Sequence, residues 1–159
     1  MDTDSMSMGF SQTSQAILLG GLSAGLLDFI GACVTNAPRG VTPLRIAQSI
    51  ASGLLGARAF QYGYKSAALG VVLHFVIALG AATVFCLATV RLRWLVDSPW
   101  LSGALYGLAV FWFMQLIVLP LSAISFKQNF SWPVVATGLI VHVLCVGWPI
   151  ALAARLYAK

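Results

Sequence analysis

Charge is what this sequence has least of. Its 159 residues include nine Lys and Arg and four Asp and Glu, so 8% are charged and 60% are hydrophobic. Soluble domains carry about 25% charged residues. A chain with so little charge cannot cover its own surface in water, so lipid must be part of its solvent. The length leaves no room for a separate soluble domain and suits one compact membrane domain over residues 1–159.

Motifs that carry chemistry are also missing. We find no nucleophile motif, no HExxH and no phosphate-binding loop, so we do not expect an enzyme. No basic cluster is interleaved with aromatic residues, so we expect no nucleic-acid partner; the net charge of +5 suits anionic lipid headgroups instead. Cys33, Cys86 and Cys145 lie in apolar stretches without CxxC or metal-ligand spacing. We therefore expect no disulfide framework, metal site or cofactor.

Long uncharged stretches are what the sequence does have, and the clearest runs from Ser66 to Val90. About 20 apolar residues, at about 1.5 Å rise each, cross a hydrocarbon core of about 30 Å. The sequence predicts an all-α polytopic membrane protein. Its predicted transmembrane helices cover residues 16–34, 66–90, 100–124 and 133–157.

The connection after the first predicted helix contains an amphipathic segment, residues 43–60. Thr42 followed by Pro43 predicts a helix start, with Thr42 as the N-cap. The polar side is predicted to hold Arg45, Gln48, Ser49, Ser52 and Gly56, and the apolar side Ile46, Ala47, Ile50, Ala51, Leu54 and Ala57. We expect this helix to lie along the membrane surface. Arg58 falls on the apolar side, where it can extend to headgroups or serve as a charge partner of Asp28.

Glycines spaced as GxxxG occur in the first and third predicted helices, at Gly21 and Gly25 and at Gly103 and Gly107. Such small-residue faces let helix backbones approach closely in lipid, and they can support self-association. Asp28 belongs to the small-residue face of the first helix. We therefore expect its carboxylate to point at a neighbouring helix and not at lipid tails.

Four polar residues are predicted to form one layer inside the bundle. His74 is nine residues past Lys65 (74 − 65 = 9), and His142 is nine past Pro133 (142 − 133 = 9). Their helices are separated by two crossings and run in the same direction, so both rings lie about 13 Å below one surface. Counting from the other helix ends puts Asp28 and Gln115 at the same depth.

This predicted layer of Asp28, His74, Gln115 and His142 has several interpretations. Its members can form hydrogen bonds that hold helices together, as polar residues in membrane bundles often do. They can form a proton- or ion-linked site, with Asp28 as the charge partner of a histidine. Two histidines can also hold a haem or a metal. Lipid or small-molecule binding is the remaining possibility.

Three functions follow from these interpretations. The first is a structural or accessory subunit of the membrane, with lipids, a partner membrane protein or a second copy of itself as partners. The second is a small transport or proton-linked protein that works as an oligomer. The third is a redox protein with a bis-histidine haem.

Three stretches together resemble the YagU-like family of bacterial inner-membrane proteins. They are LHFVIALGAATVFCLA around His74, LSGALYGLAVFWFMQLIVLPLSA in the third helix, and GLIVHVLCVGWPIALAARL around His142. The resemblance implies a four-helix protein of the bacterial cytoplasmic (inner) membrane with cytoplasmic termini, and it brings no activity with it. The Lys and Arg count, four on one predicted side and five on the other, does not decide orientation by itself.

Overall fold

The computed structural model describes residues 3–124 and 131–157, with side chains from residue 12 onward, and this part of the chain contains helices and no strand. The helices are α1 (Thr3–Asn36), α2 (Pro43–Leu55), α3 (Gly63–Thr89), α4 (Trp94–Asp97), α5 (Pro99–Leu121) and α6 (Trp132–Tyr157). A π-helical turn interrupts α5 at Met114–Val118 and α6 at His142–Gly147.

Four of these helices are long and apolar enough to cross a membrane, namely Gln12–Arg39, Gly63–Thr89, Pro99–Leu121 and Trp132–Tyr157. This confirms the predicted all-α class with four candidate spans. Three predicted ends were wrong. α1 begins at Thr3, not at residue 16, and α3 begins at Gly63, not at residue 66. α5 ends at Leu121, not at residue 124, because the next residue, Ser122, has an extended backbone with ψ of 169°.

α1 lies in the middle of the bundle and packs against both α3 and α6, while α5 packs against α6. The helices therefore follow the order α3, α1, α6, α5. Between α3 and α5, the Tyr106 hydroxyl donates a hydrogen bond to the Ala81 carbonyl at 2.7 Å, and its ring lies 4.9 Å from that of Phe85. α3 and α5 are in contact at Tyr106. They are separated by a gap between Tyr106 and the end of the bundle where α2 packs.

Both GxxxG pairs face other helices of the same chain. A Cβ added at Gly107 would lie 2.5 Å from the His142 carbonyl oxygen, and one added at Gly147 would lie 2.8 Å from the Gly107 nitrogen. In α1, a Cβ at Gly21 would lie 2.9 Å from the Cα of Leu79. These faces are occupied inside the bundle, so they do not offer the surface for self-association that the sequence suggested.

α2 begins as predicted, because the Thr42 hydroxyl oxygen accepts a hydrogen bond from the Arg45 backbone nitrogen at 3.3 Å. The predicted polar and apolar sides were right only in part: Ile46, Ala47 and Ala51 are buried and Arg45 is exposed, as predicted, but other residues differ. Gln48 and Ser52 are only 3% and 1% exposed, whereas Leu54 is 64% exposed. The reason is that α2 packs against α3, where the Gln48 side-chain amide donates to the Gly63 carbonyl at 3.0 Å.

The predicted extent of the amphipathic helix, residues 43–60, was also too long. α2 ends at Leu55, and Gly56, with φ of 59°, redirects the chain into a 3₁₀ turn over Gly56–Gln61. A left-handed φ of this kind favours glycine. Residues after Gly56 therefore do not continue either side of α2.

α2 bridges the gap between α3 and α5. Its Ala47 carbonyl contacts α3 at Gly70, which has no Cβ to prevent the approach. At its other end, the Gly53 carbonyl accepts a hydrogen bond from the Ala123 nitrogen at 2.9 Å, just beyond α5. With 13 residues, α2 is about 20 Å long and shorter than a hydrocarbon core. Its position along the membrane surface stays a prediction.

Replacing Gly147 by Ala tests the close contact between α5 and α6. The new methyl group would meet the backbone of Gly103 and Gly107, and overpacking of this kind costs about 1–3 kcal/mol. We expect thermal unfolding in mild detergent to start several degrees lower. Gly80→Ala is the matched control, because nothing lies within 4 Å of a Cβ placed there. Equal melting of the two variants would contradict the contact.

Candidate functional site

The gap between α3 and α5 encloses a cavity of about 650 Å³. Asp28 of α1, His74 of α3, Gln115 of α5 and His142 of α6 all line it. The structure thus brings together the four residues of the predicted polar layer. The volume lies within the range of about 300–1,000 Å³ that is usual for ligand pockets.

Asp28 stands between the two histidines. One carboxylate oxygen lies 4.0 Å from Nε2 of His74, and the other lies 4.0 Å from Nδ1 of His142. The three side chains are only 14–21% exposed. The histidines do not meet directly, because α1 separates α3 from α6; Asp28 connects them.

Hydrogen bonds decide which ring nitrogens carry a proton. Nε2 of His74 donates to the Gly25 carbonyl at 2.8 Å, and Nδ1 of His142 donates to the Gly138 carbonyl at 3.0 Å. A carbonyl oxygen only accepts, so these two nitrogens bear hydrogen. Nδ1 of His74 and Nε2 of His142 are then the nitrogens that can take up a proton.

Aromatic rings hold both imidazoles in place. The ring of Phe29 lies edge-on to His74 at 5.7 Å, and the ring of Phe111 lies edge-on to His142 at 5.3 Å. Edge-to-face packing of this kind is a favoured arrangement of aromatic rings. His74 has a second such contact, with Phe75 at 5.8 Å. The orientation of each imidazole is therefore set by one hydrogen bond together with its ring contacts.

The Asp28 carboxylate accepts no hydrogen bond from the part of the chain that the structure describes. The nearest N–H groups are those of His74 and His142, and both donate to backbone carbonyls. A carboxylate in apolar surroundings is costly unless its oxygens are satisfied. Because Asp28 lines the cavity, the oxygens can be satisfied by a group that enters it.

Gln115 and His142 each belong to a π-helical turn that ends two residues before a proline. The turn Met114–Val118 precedes Pro120, and the turn His142–Gly147 precedes Pro149. Proline lacks an N–H, and its ring clashes with the carbonyl four residues earlier. A wider turn relieves that clash, and such turns are frequent at functional sites.

Among the described residues, the ion-pair contacts of Asp28 are with His74 and His142, and Arg58, its predicted charge partner, does not line the cavity. Arg45 lines it instead, with its guanidinium carbon 4.8 Å from the ring centre of Phe60. The sequence signal for Arg45 was its place on the predicted polar side of α2. Arg58 follows Gly56, where the chain leaves the α2 axis.

A second, smaller cavity of about 250 Å³ shares Asp28, Gln115 and His142 with the first. It is bounded by α6 on its other side and reaches Arg39. Asp28 is thus accessible from two cavities, and each cavity has an arginine in its lining.

Cysteine pairs test the position of Asp28 between the histidines. In a background without Cys33, Cys86 and Cys145, cysteines at residues 28 and 74, or at 28 and 142, should crosslink nearly completely with a short reagent. The control pair joins residue 28 to Val76, which is 59% exposed and lies two residues from His74. Equal crosslinking of the control pair and the site pairs would contradict the geometry.

No family model, curated protein or solved structure matches the chain. Membership of the YagU-like family therefore stays a prediction, and the function has to be argued from the site.

Proposed function

We propose that the protein is a multi-pass protein of the bacterial inner membrane that takes up and releases a proton at Asp28, His74 and His142, and couples this to the passage of a small solute. The observation that carries the proposal is the Asp28 carboxylate, 4.0 Å from a nitrogen of each imidazole at the wall of a cavity. Ionisable residues within membrane spans commonly mark ion pathways and proton relays.

The charges of the cluster support a change by one proton. Histidine is the side chain that most readily changes charge near neutral pH. The groups near Asp28 from the described helices are His74 of α3, His142 and the Cys145 thiol of α6, and the uncharged Gln115 of α5. One carboxylate can balance one imidazolium. A second proton would leave an unbalanced positive charge inside the bundle, so the cluster suits two states that differ by a single proton.

The cavity is closed at one end. Beyond Tyr106, the bundle is filled by a buried cluster that includes Phe85, Leu95 and Ile150. At the other end, the cavity is lined by Asn36, the last residue of α1, and by Gly40 and Arg45, which lie between α1 and α3. A solute can therefore enter from one side of this conformation. Passage through the membrane needs a second conformation, or a pathway completed by further copies of the chain.

A structural or accessory role is the second candidate, and one contact favours it. The hydrogen bond from His74 to the Gly25 carbonyl joins α3 to α1. Polar contacts between membrane helices contribute about 0.6 kcal/mol on average. In that role, the loss of the charge on Asp28 would leave the fold almost unchanged and would remove no activity.

Asp28→Asn separates the two roles. We expect the purified variant to fold normally but to lose proton uptake by about tenfold or more, because an amide keeps the shape of the carboxylate and cannot balance an imidazolium. The measurement is dye-reported proton flux into liposomes under an imposed membrane potential. Asp97→Asn, at an exposed residue of α4, is the matched control and should leave the flux unchanged.

Two outcomes of this experiment would contradict the proton-linked role. Equal flux for wild type and Asp28→Asn would leave the structural role as the better account. An intense Soret band in the absorption spectrum of the purified protein would favour the bis-histidine haem protein instead.

A further inference from the structure

The lining of the larger cavity combines one acidic and one basic side chain. Asp28 lies in the span of α1, and Arg45 lies on α2, which covers the gap between α3 and α5. Besides the two histidines, the other polar groups of the lining, such as Asn36, Ser49 and Gln115, carry no charge. Asp28 and Arg45 therefore supply one charge of each sign, on different helices.

The Asp28 end suits an ammonium group. The carboxylate accepts no hydrogen bond from the described residues, and the imidazole N–H groups beside it are engaged with the carbonyls of Gly25 and Gly138. An entering group must therefore bring its own N–H donors. Donors that carry a positive charge form the strongest hydrogen bonds to a carboxylate.

The Arg45 end suits an anionic group. Within the described chain, no carboxylate lies at ion-pair distance from Arg45, and its guanidinium packs on the ring of Phe60. A guanidinium placed over a ring at this distance can still present N–H donors at its edge. A guanidinium edge matches the two oxygens of a carboxylate.

Apolar side chains occupy the wall between the two ends, among them Ile46, Ile50 and Ile77. Along α1, the lining extends from Asp28 to Asn36, eight residues apart (36 − 28 = 8), which is about 12 Å at 1.5 Å per residue. Arg45 lies on a different helix from Asp28, with apolar side chains of the same lining around them, so a ligand with a charged group at each end of an apolar chain suits the cavity. A ligand whose charges sum to zero also avoids bringing an unbalanced charge into apolar surroundings.

We propose that the cavity binds a small zwitterion, an ω-amino acid whose ammonium pairs with Asp28 and whose carboxylate pairs with Arg45 across an apolar chain. This inference names the class of solute for the proton-linked function proposed above and rests on it. The observation behind it is that two side chains line the same cavity: the Asp28 carboxylate, which accepts no hydrogen bond from the described residues, and the Arg45 guanidinium, which packs on the Phe60 ring.

Binding of 6-aminohexanoate to the full-length protein in mild detergent tests the proposal. Hexylamine and hexanoate, which each keep one charged end, are the comparison probes, and calorimetry is the measurement. We expect the zwitterion to bind at least about tenfold more tightly than either, because each charged pair contributes at least about one hydrogen bond to an ionised group.

Variants assign each end of the ligand. With Arg45→Gln, the advantage of 6-aminohexanoate over hexylamine should disappear; with Asp28→Asn, its advantage over hexanoate should disappear. Arg58→Gln and Asp97→Asn are the matched controls, because both residues are exposed and neither lines the cavity. Both controls should bind like the wild type.

Three results would overturn the proposal. Hexylamine binding as tightly as the zwitterion would indicate a site for cations only. Loss of binding in Arg39→Gln but not in Arg45→Gln would move the ligand to the smaller cavity. No binding of any probe would exclude this solute class. Proton flux of the wild type without any probe is measured separately. Flux without binding of 6-aminohexanoate would overturn only the solute class, whereas absence of flux would overturn the proton-linked function.

Discussion

Close contact between helix backbones at glycine residues sets the spacing of this bundle. Lipid tails are as apolar as the helices, so packing and not hydrophobic burial draws helices together in a membrane. α5 approaches α6 where Gly107 meets Gly147, and α1 approaches α3 at Gly21. Because each helix of the α3–α5 pair is drawn to a different neighbour, these two helices stay apart except at Tyr106. The cavity is a consequence of where the glycines are.

Depth in the bundle could be predicted from the sequence, whereas the neighbours of a short helix could not. A helix rises by a fixed amount per residue, so counting from the helix ends placed Asp28 and His74 in one layer although three helix ends were misjudged. The sides of α2 were predicted on the assumption that its polar side faces water. α3 is its actual partner, and it accepts the Gln48 side chain through the Gly63 carbonyl. Arg45 lines the cavity and Arg58 does not, because the chain leaves the α2 axis at Gly56.

The prolines connect helix packing to the site. In α6, one π-helical turn begins at His142 and ends at Gly147, two residues before Pro149. That single turn directs the imidazole towards Asp28 and presents Gly147 to the backbone of α5. A change that restored a regular helix here would rotate both residues relative to their partners. The wide turn depends on the missing N–H of a residue seven positions after His142 (149 − 142 = 7), which is why periodicity alone did not indicate it.

The arrangement around Asp28 favours the proposed proton-linked role over a purely structural one. A carboxylate kept only to join helices would be expected to accept direct hydrogen bonds, yet the two nearest N–H groups donate to Gly25 and Gly138. Each lies 4.0 Å from a carboxylate oxygen, about 1 Å beyond hydrogen-bond distance. A small shift of either ring would exchange a carbonyl for the carboxylate, and a protonated ring favours that exchange. For His74, both acceptors belong to α1, so the exchange only moves its hydrogen bond along that helix. For His142, whose present acceptor Gly138 lies in its own helix, the exchange would add a bond from α6 to α1, so under the proposed function proton uptake changes how α6 is held at the wall of the cavity.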